Sequence, residues 1–129
     1  MKSILKWILG LFVGMVILTN FPILNSYFMS KWDGEAYFRY SNSNASFTFF
    51  DDVSFKSGAL TPEIIERFIE EENPKPANQT LYRVYRINPL CFWRWSYYFG
   101  TSSDFQYKSW KEIEPNRVPY DPENKWQDF

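Results

Sequence analysis

Polar and apolar positions divide this chain unevenly. Between Lys6 and Lys31 run 24 residues, WILGLFVGMVILTNFPILNSYFMS, without one charged side chain. A helix rises 1.5 Å per residue and needs about 20 apolar residues to cross the hydrocarbon core of a bilayer. The run therefore predicts a membrane-spanning helix over about residues 4–28. Its second half is less regular, because Asn20, Pro22 and Asn25 interrupt the pattern and Pro22 removes a helical hydrogen bond. Trp7 at one end, with Tyr27, Phe28 and Trp32 at the other, stand where amphipathic rings favour the headgroup layer.

Past residue 31 the pattern shortens. Residues 35–41 and 45–50 are aromatic-rich runs around Asn42, Ser43 and Asn44, a composition that predicts a β-hairpin. Asp51 and Asp52 end the second strand or bend it before Val53–Phe55. Ile64, Ile65, Phe68 and Ile69 recur at helical spacing after Thr61, a suitable N-cap, and Pro62, which fits a first helical position, so a helix is expected from Pro62 to about Glu72. Residues 80–87 read as a strand at the centre of a sheet. A helix opening at Asn88–Pro89 and stopping at Gly100, a short strand over 104–110 and a helical turn from Lys111 to Glu114 follow.

The fold class is thus α+β: one N-terminal transmembrane helix, then a small domain with an antiparallel sheet of three to five short strands and one or two helices. The chain divides into an anchor over 1–31, an extracytoplasmic domain over 32–114 and an extended, proline-rich tail over 115–129. The tail's apolar handles are Val118, Tyr120, Trp126 and Phe129.

Charge sharpens this division. Residues 1–31 carry three lysines and no acid, whereas residues 32–129 carry 11 basic and 15 acidic side chains. That balance argues against nucleic acid, whose phosphates need a concentrated basic surface. Flanking lysines favour a cytoplasmic N-terminus with the domain exported, and a bacterial inner membrane is the expected location. A secreted protein with a cleaved signal peptide competes with this reading, since Lys2 and Lys6 precede an apolar core; the small residues wanted at positions −3 and −1 are not both present after it.

The chemistry-bearing residues are few. A single cysteine, Cys91, closes no intramolecular bridge, and the absence of histidine removes imidazole-based nucleophilic pairs and metal ligands. Cys91 reads as a small buried hydrophobe. Asp51 and Asp52, adjacent in a strand, point to opposite faces and do not converge. No glycine-rich phosphate loop, serine elbow or CxxC pair occurs, so no catalytic residue, metal ligand or cofactor is assigned and a non-enzyme is expected.

The unusual stretch is LCFWRWSYYF. Phe92, Trp93, Arg94, Trp95, Tyr97 and Tyr98 are the candidate contact residues, with three readings open. The rings fill the domain core, or lie against the membrane beside the anchor with Arg94 among the headgroups, or form a partner-binding patch. The expectation for function is a single-pass membrane protein, bound to the bilayer through residues 4–28, whose domain binds another membrane or periplasmic protein in an accessory, regulatory or immunity-type role. A ligand- or lipid-binding module with an aromatic pocket is the alternative.

Overall fold

The apolar run folds as two helices rather than one. In the computed structural model, which describes residues 1–33, 37–52 and 60–129, α1 spans Lys2–Asn20 and α2 spans Pro22–Trp32. Phe21 between them takes an extended conformation (φ −69°, ψ 131°), the conformation favoured before proline, and Pro22 opens α2 where its missing N–H leaves no bond unmade. The expected continuous span over 4–28 therefore ends at Asn20. At 1.5 Å per residue α1 is about 28 Å long, close to the thickness of a hydrocarbon core. It is long and apolar enough to cross a membrane, and Thr19 is its one buried residue.

The hairpin forms as expected. β1 (Tyr37–Asn42) pairs antiparallel with β2 (Thr48–Asp52), Arg39 opposite Phe50 and Ser41 opposite Thr48. Ala45 in the turn has φ 52°, and the Asn42 side chain bridges the turn by accepting from the Phe47 N–H and donating to Ser46 Oγ. Glu35 and Ala36, the expected start of the first strand, and Val53–Phe55 lie outside the described residues.

β3 (Leu81–Arg83) pairs antiparallel with β1, giving the order β2-β1-β3. The expected 80–87 strand is thus shorter and sits at an edge, not at the centre. Its outer side is covered by residues 106–108: the Arg83 N–H donates to Gln106 O and the Lys108 N–H to Arg83 O. Only Tyr107 forms a bridge there, and no strand spans 104–110. The other edge is covered likewise by the tail, where the Thr48 N–H donates to Trp126 O and the Asp128 N–H to Thr48 O. Covered edges are closed to further pairing.

α3 (Pro62–Glu72) matches its sequence signals, with Thr61 as N-cap and Asn73 in the left-handed conformation at its end. The expected helix over 88–100 is instead a 3-10 turn at Phe92–Arg94 followed by α4 (Trp95–Gly100). α5 (Trp110–Ile113) is the expected single turn, closed by a capping box between Ser109 and Glu112.

The core gathers Phe38, Tyr40, Phe47, Leu60, Phe68, Leu81, Tyr98 and Trp126. Phe47, Phe68 and Trp126 meet with ring centroids 4.8–5.8 Å apart, which brings hairpin, α3 and tail together. Met29 of α2 belongs to the same core and is fully buried. α2 is therefore packed into the domain, while α1 projects from it with its apolar side chains exposed.

Candidate functional site

Breaking a helix at a proline leaves carbonyls without their usual partners. The chain supplies those partners from Asn20 and Asn25, and in doing so ties α1 to the aromatic segment more than 60 residues away. Asn25 Nδ2 donates to Thr19 O at 2.8 Å and to Trp93 O at 2.6 Å. Asn20 Nδ2 donates to Val16 O at 2.9 Å and to Phe92 O at 2.7 Å, and its Oδ1 accepts from the Ser96 N–H at 2.7 Å. Both amides thus bond α1 with one hand and the domain with the other.

Asp33, just past α2, completes the joint. Its carboxylate accepts from Arg94 Nε and Nη2, each at 2.5 Å, and from Trp93 Nε1 at 2.8 Å. Two parallel bonds between a planar guanidinium and a carboxylate give the strongest geometry available to an ion pair. The side chains are only 16% and 7% exposed, so the pair is largely screened from solvent. Asp33 is the principal cause of a guanidinium pKa held above its ordinary value.

From Arg94 the joint runs into the core. Its guanidinium carbon lies 5.6 Å over the Phe38 ring, and Phe38 stacks on Tyr97 with centroids 3.9 Å apart. The Tyr97 hydroxyl begins a buried chain: it donates to Asp51 Oδ2 at 2.6 Å, while Tyr40 OH lies 2.8 Å from both Tyr97 OH and Tyr85 OH, and Tyr85 OH lies 2.5 Å from Ser102 Oγ. Each hydroxyl has one proton to give. Because the terminal carboxylate accepts, the direction of the whole chain is set, from Ser102 to Tyr85 to Tyr40 to Tyr97 to Asp51. Burial pushes the Asp51 carboxyl above its ordinary value, opposed by the bond from Tyr97. Burial likewise raises the three tyrosines, so they remain protonated donors.

Five of the six candidate contact residues fall into two groups, with Trp95 apart from both. Trp93 and Arg94 make the joint, and Phe92 packs its ring edge-on against Phe12 of α1, centroids 5.5 Å apart. Tyr97 and Tyr98 belong to the core; Tyr98, 3% exposed, presents no surface to a partner. Trp95 is half-buried, its indole N–H donating to Pro89 O. Cys91, expected as a small buried hydrophobe, is half-buried against the core with its thiol free of any disulfide. The described residues contain no cluster of three or more metal-ligating side chains.

Sequence reasoning passed over Asn20, Asn25 and Asp33. Their signal was present: two amides flanking a proline inside an apolar run, and the first acid after it. It also passed over Gly10 and Gly14, where an added Cβ would meet no atom within 4 Å. With Trp7, Leu11, Met15 and Leu18 they line an open groove along α1. On a helical wheel this groove lies roughly opposite the face of Phe12, Val16 and Asn20 that meets the domain. Comparison with protein-family models, curated proteins and solved structures returns no match.

Proposed function

We propose that the chain is a single-pass membrane protein, N-terminus in the cytoplasm and domain outside it in a bacterial inner membrane, acting by recognition of another envelope protein rather than by catalysis. The observation that carries this reading is the joint. A spanning helix that served only as a leash would need no bonds to the domain it carries, whereas here two asparagines and an ion pair fix the domain's orientation on α1. Fixing orientation matters when a domain must present one surface to a neighbour in the same membrane.

The domain surface carries residue types that dominate interfaces. Arg86 lies over exposed Tyr107, and Arg117 lies between Trp110 and exposed Tyr120, each cation 5.3–5.6 Å from a ring centroid. Such pairs hold their rings in place before a partner arrives, which lowers the entropy cost of binding.

Two measurements test the proposal. A reporter fused after Phe129 should be active only in its exported form, and the mature chain should retain residues 1–31 and need detergent for extraction; removal of that segment would make the chain a secreted protein. A photo-crosslinking side chain in place of Tyr120 should trap one stoichiometric membrane or periplasmic partner in cells, and only sub-stoichiometric adducts would defeat the recognition reading.

A further inference from the structure

We propose that residues 87–99, with the outer face of α2, form a wedge that enters the bilayer beside α1, so that the domain meets lipid through a second apolar element besides its spanning helix. This rests on the reading of α1 as a membrane span. The occupant of the surface is acyl chain and glycerol backbone, not an anionic headgroup.

Depth is fixed by two contacts. Asn20 at the end of α1 holds Phe92 O and the Ser96 N–H, so the loop backbone is level with the last turn of α1. The Phe92 ring reaches Phe12, eight residues and about 12 Å nearer the middle of the span. A ring that far along a membrane-spanning helix lies within the hydrocarbon edge. Around it the surface is apolar: Leu90 is 83% exposed and Phe99 76%, and Phe21, Ile23 and Tyr27 on the kink and α2 are also exposed. This patch continues directly into the exposed apolar sides of α1, which themselves require lipid.

The polar groups of the segment are prepared for low dielectric. Backbone in lipid must be satisfied from within the protein. The carbonyls of Phe92 and Trp93 are capped by Asn20 and Asn25, the Leu90 N–H donates to Asn88 Oδ1, and the Trp95 indole is satisfied by Pro89 O. Arg94 is the one charged residue between 87 and 103, and Asp33 neutralises it. Trp95 and Tyr27 are of the type that settles at the interface. With no uncompensated cation between 87 and 103, and Lys31 at the far end of α2, insertion of the wedge depends on apolar area and not on anionic lipid.

The test uses the full chain with Cys91→Ser, reconstituted in phosphatidylcholine nanodiscs, carrying a polarity-sensitive fluorophore on one new cysteine at a time. Ile8→Cys reports the span, Leu90→Cys and Phe99→Cys report the wedge, and Glu70→Cys reports a water-facing site. The inference expects blue-shifted emission at 90 and 99 that is quenched by spin labels shallow in the acyl chain, deep quenching at 8, and neither effect at 70. The signals at 90 and 99 should be unchanged by added phosphatidylglycerol or salt. Water-like emission at 90 and 99 with deep quenching at 8 would overturn the wedge and leave the span standing. A signal at 90 and 99 that appears only with phosphatidylglycerol would overturn the apolar mode of entry. Absence of quenching at 8 would remove the span and the wedge together.

Discussion

Two buried polar systems hold this molecule, and they differ in kind. The joint at Asn20, Asn25 and Asp33 is built from amides and a charged pair and connects separate elements, α1 and α2 on one side and the 92–96 segment on the other. The chain from Ser102 to Asp51 is built from hydroxyls, has one formal charge at its end, and lies inside the domain. Charge-assisted bonds are individually stronger, yet a buried charge left alone costs more than a buried hydroxyl left alone. The joint is therefore the more brittle of the two, and the hydroxyl chain the more forgiving.

The largest effect is expected from Arg94→Ala. It leaves Asp33 buried without its cation, which should cost about 3–5 kcal/mol in a urea unfolding series on detergent-solubilised protein. Asp33→Asn, which keeps an acceptor for Trp93, should cost clearly less from the same wild-type baseline. A loss near zero for Arg94→Ala would mean that the pair is not desolvated.

Tyr97→Phe comes next. It removes the donor to Asp51 and the acceptor for Tyr40 while keeping the ring stacked on Phe38, and should cost about 1–3 kcal/mol. A loss near zero would show that water replaces the hydroxyl and that the chain is not sealed.

The two systems meet at Phe38, which lies between Arg94 and Tyr97. A double-mutant cycle between Arg94→Ala and Tyr97→Phe should therefore give a coupling of about 0.5 kcal/mol or more, as neighbours that share a partner do. Strict additivity would separate joint from core.

The smallest effect is one of pH. The Asp51 carboxyl titrates above its ordinary value of 3.8 because it is buried, so the folded protein binds that proton more tightly than the unfolded chain. Protonation then favours folding: as pH falls through the raised folded value toward 3.8, wild type should gain stability relative to Asp51→Asn, which carries no such charge. A relative loss over that window would mean that Tyr97 stabilises the carboxylate more than burial penalises it. The opposite trend is expected from exposed Glu63 and Glu112, whose hydrogen bonds lower their pKa values; the comparison with Asp51→Asn cancels their contribution.

What was legible in the sequence follows range of interaction. The hairpin and α3 are readable because their signals are local, aromatic runs about a polar turn and Thr61 with Pro62, and α5 falls on the turn expected at Lys111–Glu114. The 80–87 run reads as a central strand because Arg83 and Tyr82 leave no clean face; the pairing that sets its place is with β1, 39 or more residues away. Asn20 and Asn25 read as flaws in an apolar run, since their partners at 92, 93 and 96 lie at a distance no local pattern reports. The aromatic segment hid its roles for the same reason. Six rings within eight positions specify burial, and only the fold divides Tyr97 and Tyr98 in the core from Trp93 at the joint.

The claim beneath all of this is that α1 and the domain are one rigid body held by the joint. Pulsed electron-spin distances between nitroxides at Leu5→Cys and Glu123→Cys, in a Cys91→Ser background in lipid nanodiscs, test it directly. A single narrow distribution that broadens in Asn25→Ala is the expected result; a distribution already broad before that substitution would contradict it.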